Sequence, residues 1–426
     1  MRDPQQSQPL EWLARLSEQY ERFPYPHRDP EAESLGDTRT INNTLATIAH
    51  FLNRGQAMHG QGFRALVAGG GTGDATVHLA TQLQEADPDG EVVHVDLSSA
   101  SLDIARRRVE KLGLKNVSFI QQDIYDLSPE ELGGFDYINC SGVLHHLPDP
   151  VGALATLRGV LKPHGGLSLM LYGAYGRIGV YHVQDLVSRL ADGSEDLEHL
   201  AEMTRSLLKQ LPSDHWLVRK AGSAPDVSAP AAEIVDKYLH SRDRPYTVPD
   251  IFQLVEEAGV NFVSFTRPLW YDPRSVLGDQ GLSERMDRMT PAQRMALAEI
   301  LHGSGLSNHF FFVSARESAP ELPDPHDVSL VPTLVGQLPT AAQGQIVLGG
   351  PRRDVFAGRD LQLVRRIDGV RTLGEIRDEM LSGRIMRDEE TFWRIWDKVY
   401  TSINGRGLLV MKAWRDDADA PAPAED

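Results

Sequence analysis

A chain of 426 residues, 41% hydrophobic and 24% charged, is long enough for two or more domains with ordinary cores. Its net charge of −17 works against loose association with nucleic acid or anionic lipid, since neutralising phosphates drives such binding. No apolar run approaches the roughly 18 residues that span a bilayer, "MRDPQQSQPLEWLARL" lacks the basic-then-apolar layout of a signal peptide, and the single Cys140 excludes an intramolecular disulfide framework, so a reducing cytoplasm is expected.

In chain order, "YERFPYPHRDP" (20–30) comes first, three aromatics interleaved with prolines in a stiff segment. "ALVAGGGTGDATVHLA" (65–80) then runs from an apolar strand through a glycine turn into a helix pattern. Further strands are expected at 91–97, 116–123, 135–142 and 166–173. Between them Leu102, Ala105, Val109 and Leu112 share one helix face, as do Val151, Leu154, Leu157 and Leu161. "IARRRVEK" (104–111) reads as a solvated helix face rather than a binding patch. Strands alternating with helices predict a parallel, doubly wound α/β sheet, which binds ligands at the carboxyl ends of its strands.

Two late strands, 260–268 and 309–317, extend the sheet, the first preceded by a helix at 248–259. Insertions at 176–246 and about 274–306 interrupt it, and insertions of that length are usually functional. They are expected to close over the substrate side of the sheet and exclude water. "RESAPELPDPHDVSL" (316–330) is a Pro-rich acidic linker. Beyond it, Thr372 and Glu375 form a capping box, and Phe392, Ile395, Trp396, Val399, Tyr400 and Ile403 form a helical apolar stripe. Asn404-Gly405 ends that helix before a short strand, which predicts a small helical domain with a wing. The last eleven residues, "DDADAPAPAED", are expected to be disordered.

The glycine turn constrains its ligand. Gly69, Gly71 and Gly73 are spaced G-x-G-x-G, whereas the dinucleotide fingerprint G-x-G-x-x-G would place Asp74 or Thr76 at its third glycine. The Gly-Lys-Ser/Thr ending of a P-loop is absent. A purely structural strand-to-helix turn is the plain alternative. Asp96 ends the second strand, 23 residues after Gly73, where an acid can accept both hydroxyls of a ribose. Asp123 ends the third strand, where its carboxylate could accept an adenine amino proton with Ile124 against the ring.

These features, with "NCSGVLHHLPDP" after strand four and "LKPHGGL" before strand five, resemble the class I S-adenosylmethionine-dependent methyltransferases over about 64–175. The late strand pair is similar to that family's closing antiparallel hairpin. The resemblance implies S-adenosylmethionine as cofactor, and no metal site is expected. It implies that Gly69, Gly71 and Gly73 let the backbone approach the methionine part. It further implies Asp96 and the adjacent Leu97 at the ribose, Asp123 and Ile124 at the adenine, and Ser141 near the sulfonium. Family members often carry an acid two residues before the first glycine; here Val67 stands there, so the cofactor's amino group must rely on carbonyls or water. Methyltransferases with an N-terminal lid suggest Tyr20, Phe23 or Tyr25 as a cover, against plain packing.

For the acceptor, His146 is the preferred base and Tyr172 an orienting group, each against a purely pocket-shaping or core role. His145, Tyr25, Arg177, Tyr181, His240, Arg242, Arg244 and Tyr246 are the acceptor-side candidates, with the arginines suited to a carboxylate. The alternative for those arginines is salt bridging with Asp236 and Asp243. The segment 331–414 resembles small winged-helix domains related to peptide chaperones, placed for peptide docking, dimerisation or a structural cap.

The expected architecture is an α/β, doubly wound Rossmann-like methyltransferase sheet with helical insertions and a small C-terminal winged-helix-like domain. Its expected parts are an N-terminal helical lid (1–60), the cofactor-binding core (61–175), insertions with the closing helix and strand pair (176–318), a linker (319–330), the winged-helix-like domain (331–414) and a disordered tail (415–426). The expected activity is methyl transfer to a small-molecule or peptide acceptor, with no membrane partner, nucleic acid disfavoured and a homodimer allowed. Alternatives are a protein methyltransferase whose C-terminal domain docks the target, and a non-catalytic scaffold, which the retained acids and glycines disfavour.

Overall fold

Five apolar runs alternate with helices and lie side by side as parallel strands: β1 Arg64–Ala68, β2 Glu91–Asp96, β3 Val117–Gln121, β4 Phe135–Ser141 and β5 Leu161–Tyr172. Two later strands, β6 Asn261–Phe265 and β7 Asn308–Ser314, complete a seven-stranded sheet in the order β3-β2-β1-β4-β5-β7-β6. β7 runs antiparallel to both neighbours. The structure, a computed structural model, describes residues 16–34, 36, 38–221 and 225–415. The first fifteen residues of the expected lid and the tail beyond Arg415 lie outside the described residues.

Ala65 to Ala68 of β1 are all buried because both faces of the sheet are covered, as parallel strands require. One face packs Val67, Leu79, Leu83 and Val109 with the helix Leu45–Leu52. The other packs Leu66, Ala68, Leu154, Leu157 and Ile251. The order reverses between β1 and β4, so the carboxyl ends of those strands open a crevice there.

The basic run 104–111 departs from expectation at one residue. Arg108 is fully buried. Its guanidinium donates to Glu33 (2.7 Å), Asp74 (2.8 Å), the Thr72 carbonyl (2.8 Å) and the Thr38 hydroxyl (2.9 Å). Asp74 also takes both arms of Arg28, at 2.8 and 2.6 Å. Arg28, Glu33 and Thr38 are thereby tied to the glycine turn. Upstream, the Glu21 carboxylate accepts from the Ser99 and Ala100 amides at the start of the helix Ser99–Lys111, where a negative charge meets the positive end of the helix.

The insertion 176–246 forms helices Ile178–Leu190, Leu197–Gln210, Trp216–Ala221 and Ala231–Tyr238 around its own apolar cluster, which also receives Phe23. The second insertion behaves differently. Its helix Pro291–His302 packs on the helix Val248–Glu257 and the turn Pro268–Tyr271. No described residue of 274–306 lines the crevice, so this insertion is not part of the expected cover.

The C-terminal module holds β8 Val331–Leu334, the hairpin β9 Gln345–Leu348 with β10 Asp354–Ala357, three helices and β11 Leu409–Lys412. Thr372 and Glu375 form the expected capping box, and the stripe helix ends at Asn404. The hairpin precedes the helices, and β11 returns to pair with β8 instead of forming a wing beside the last helix. Residues 325–330 are bound into the module. The Pro325 carbonyl accepts from the Trp396 indole N–H at 2.8 Å, and the Val328 and Leu330 carbonyls accept from Gly374 and Leu373.

The module is seated on the sheet domain. The Met411 amide donates to His50 Nδ1 (3.1 Å), Ala413 to the Gly55 carbonyl (2.8 Å), and Leu269 to the Gly405 carbonyl (2.9 Å).

Candidate active site

The crevice between β1 and β4 widens into a cavity of about 670 Å³. Gly69, Gly71, Asp96, Leu97, Asp123, Ile124 and Ser141 all line it. Gly73 does not; a side-chain carbon there would come within 2.9 Å of Ala105 Cβ, so this glycine brings two helices together. Gly71 has φ +52°, and a Cβ there would lie 2.4 Å from the Tyr25 carbonyl oxygen. The turn is therefore bare where the N-terminal segment crosses it, as well as where it faces the cavity.

Asp96 Oδ2 accepts from the Gly71 amide at 2.8 Å and Oδ1 from Ser98 at 2.9 Å. Each oxygen keeps acceptor capacity on the cavity side. Burial pushes this carboxyl above its usual range, and the two amides partly offset that. Asp123 gives one oxygen to the Tyr125 amide at 3.1 Å, and burial raises its carboxyl too. Two carboxylates at neighbouring strand ends, with Ile124 buried beside the second, offer acceptors for a ribose diol and an adenine amine. This set of acceptors fits the nucleoside of S-adenosylmethionine.

The wall beyond β4 and β5 comes from segments distant in sequence. Tyr20, Tyr25, His146, Tyr172 and Asp236 line it. His146 Nδ1 lies 2.7 Å from the Arg242 carbonyl, so it must donate, which leaves the lone pair on Nε2. Burial lowers this imidazole to about 4, so it is neutral at pH 7. Tyr172 carries the Arg177 guanidinium over its ring at 3.5 Å, and burial raises its phenol.

Seven of the acceptor-side candidates stand behind this wall. His145 is fully buried with its ring 3.9 Å from that of Tyr172, and neither nitrogen has a partner. Arg177 pairs with Asp243 at 3.0 Å, the salt-bridging alternative, and Tyr181 lies beside it. His240 stacks on His146 at 3.6 Å. Arg242 and Arg244 are exposed and outside the cavity, which corrects the expectation of a carboxylate held by arginines there. The physical reason is the backbone path. The Arg244 amide donates to the His145 carbonyl (3.0 Å) and Tyr246 to the Tyr172 carbonyl (2.8 Å), so the main chain takes the inner side and the arginines point to solvent. Arg244 covers the ring of the buried Tyr246, 4.9 Å away.

Sequence reasoning missed Asp236 as a site residue, although the stripe Ala232, Val235, Asp236 and Leu239 puts an acid on the apolar face of a helix. It also missed Thr266, Arg267, Phe310, Arg406 and Leu408, which close the far side. No local pattern marks those, because they meet only through the sheet order and the module's seat.

A family model described as "Methyltransferase domain" matches residues 59–222. An uncharacterized protein of Synechococcus sp. is 30% identical over 297 residues, 69% of this chain and 68% of its own length. The tRNA 5-carboxymethoxyuridine methyltransferase of Escherichia coli is 36% identical over 117 residues, which are 27% of this chain and 42% of that protein. The demethylmenaquinone methyltransferase of Staphylococcus carnosus is 30% identical over 145 residues, 33% of this chain and 57% of that protein. Among solved structures, PKMT2 from Rickettsia typhi in complex with AdoHcy has the same fold, with a TM-score of 0.67 at 14% identity over 90% of this chain and 78% of that one. Among the described residues no helix is long and apolar enough to cross a membrane. The chain belongs to the class I S-adenosylmethionine-dependent methyltransferases, with S-adenosylmethionine as its cofactor.

Proposed function

We propose that this enzyme methylates a small-molecule or peptide acceptor seated at the β4–β5 end of the cavity. One observation carries the reading. The ribose and adenine acceptors stand at the ends of β2 and β3, while Tyr20, Tyr25, His146, Tyr172 and Asp236 converge on the same cavity past β4. In that order Gly69, Gly71, Asp96, Leu97, Asp123, Ile124 and Ser141 hold the cofactor. The tyrosines, His146 and Asp236 then face the group being methylated.

When bound, the cofactor supplies a methyl group already activated for in-line displacement. The protein's part is alignment and the exclusion of water. The helix 16–22 covers the cavity with Leu16, Ser17 and Tyr20, and Glu21 fixes that cover to the helix beside Asp96. Tyr172 is held by Arg177 and His145 behind it. His146 presents a neutral acceptor nitrogen, suited to orienting an N–H or O–H of the acceptor; a group near 4 is a weak base at neutral pH.

A protein acceptor docked by the C-terminal module is the second reading, favoured by Arg406, Gly407 and Leu408 reaching the cavity wall. Methyl-tritiated S-adenosylmethionine, offered with the small-molecule, peptide and protein fractions of a cell extract in turn, separates the two. Label in the first two fractions supports the leading reading, and label confined to intact protein supports the second. Tyr172→Phe and His146→Asn should slow transfer while leaving S-adenosylhomocysteine affinity within about threefold. A loss of that affinity equal to the loss of transfer would put both side chains on the cofactor instead.

A further inference from the structure

Beyond β4, away from the strand-end acids Asp96 and Asp123, a further carboxyl group lines the cavity without an ion-pair partner among the described residues. Asp236 is 4% exposed and faces the cavity. Its Oδ1 takes the Tyr20 hydroxyl at 3.3 Å, and no ion pair among the described residues reaches it. Arg177, whose charge acts on it, is already paired with Asp243 and stacked over Tyr172. Burial raises this carboxyl from its usual 3.8 to about 7, and a ligand that brings a cation against it would stabilise the ionised form. Three phenol rings, Tyr20, Tyr25 and Tyr172, line the same cavity, and aromatic faces attract cations.

We propose that Asp236, ringed by Tyr20, Tyr25 and Tyr172, binds an alkylammonium group of the acceptor and takes one of its protons, so that the methyl group is placed on nitrogen. This rests on the reading that the β4–β5 end of the cavity is the acceptor side. The ammonium N–H gives its proton to a carboxylate oxygen of Asp236. The freed nitrogen lone pair forms the N–C bond as the C–S bond breaks and its electron pair passes to sulfur. The positive charge ends on the N-methylammonium product, and Asp236 releases its proton to solvent when product leaves. Tyr20 is a positioning residue in this scheme: the His240 ring lies 3.2 Å from its hydroxyl, which holds that hydroxyl toward Asp236.

The test uses the full chain and n-hexylamine, n-hexanol and hexanoate as probes. With S-adenosylhomocysteine bound, calorimetry should find hexylammonium at least tenfold tighter than hexanol, and hexanoate weaker than both. In Asp236→Asn that gap should close to less than twofold. With methyl-tritiated S-adenosylmethionine, label should enter hexylamine and not hexanol, and Asp236→Asn should cut that rate at least a hundredfold. No preference for the amine in the wild-type protein overturns the proposal, whatever the variant does. The variant must also keep wild-type affinity for both cofactor forms. A tenfold loss for S-adenosylmethionine alone would mean that Asp236 reads the sulfonium, and an equal loss for both forms would mean that it reads the cofactor's own ammonium; either overturns the proposal. Failure of the wild-type protein to bind S-adenosylhomocysteine would instead sink the underlying reading of the cavity.

Discussion

Asp96→Ala tests the cofactor side most directly, because the structure gives this carboxylate two tasks. It accepts from the Gly71 and Ser98 amides, at 2.8 and 2.9 Å, and it keeps acceptor capacity toward the cavity. Two lost hydrogen bonds to a ribose diol, at about 1.5–3 kcal/mol each for a charged acceptor, sum to about 3–6 kcal/mol. That is a weakening of roughly a hundredfold to ten-thousandfold in S-adenosylhomocysteine affinity. The same substitution leaves two turn amides without their partner, at about 1–3 kcal/mol each if water does not reach them. The melting temperature should therefore fall by a few degrees, at about 1 °C per kcal/mol for a chain of 426 residues. Asp96→Asn keeps one acceptor oxygen for the turn and should melt between the two proteins. Calorimetry and a thermal melt on the three proteins decide the matter. Affinity within threefold of wild type in Asp96→Ala would refute the ribose assignment. An unchanged melt beside a large affinity loss would refute the turn-holding role.

Arg108→Met should release Glu33 and Thr38, leaving the Glu33 carboxylate buried without its partner at a cost of about 3–5 kcal/mol; hydrogen exchange at the Thr72 and Ala32 amides and a urea melt report it, and wild-type protection there would contradict the clamp. His50 is buried and neutral, accepting from Met411, with its ionisation lowered from the usual 6.5 to about 4. The unfolded chain binds a proton there that the folded one refuses, so about 3 kcal/mol of stability is fully present above pH 6.5 and lost as pH falls toward 4. His50→Gln keeps an acceptor without the titration and should flatten urea midpoints between pH 7 and 4.5; an identical slope would refute it. Gly407→Val should unseat the module, because φ is +73° there and a Cβ would lie 2.6 Å from the Thr266 carbonyl oxygen. Faster exchange of the Leu269 and Met411 amides is the expected sign, and unchanged exchange would count against it.

The sheet was legible because its strands alternate with amphipathic helices at two distinct periods, and because Asp96 and Asp123 each close a strand, 23 and 50 residues after Gly73. Such signals are local, and the sheet order places them together automatically. Arg108 was misread because a helix wheel shows charge but not what packs against it; its partners Glu33 and Thr38 lie some seventy residues earlier. The arginines at 242 and 244 were misread for the opposite reason. Their residue types suit an anion, yet backbone pairing to His145 and Tyr172 turns them outward, and composition carries no record of that pairing. Asp236 did leave a mark, an acid within an apolar stripe, which reads as a salt-bridge partner until the cavity beside it is seen.

The two halves of the cavity differ in how they are built, and that difference bears on substrate choice. The residues proposed to hold the cofactor sit at the ends of β1 to β4, within the methyltransferase domain at 59–222. Tyr20, Tyr25, Asp236, Phe310 and Leu408 all lie outside that stretch, on the N-terminal cover, the later part of the insertion, the closing strand and the C-terminal module. A change in any of these can reshape the acceptor wall without touching a strand end. Similarity confined to the core therefore carries the cofactor and the reaction but not the acceptor. The seat of the module adds a physical link between the halves. Gly405 and Gly407 allow the turn after the last helix to press on Leu269 and Thr266, and that turn delivers Arg406 and Leu408 to the wall. Arg406 itself is held by Asp354 at 2.8 Å and by the Gly349 and Arg352 carbonyls, so the wall it forms is fixed by the module's own interior. The module lines part of the cavity, so on the proposed arrangement loosening its seat should alter acceptor binding while leaving cofactor affinity in place.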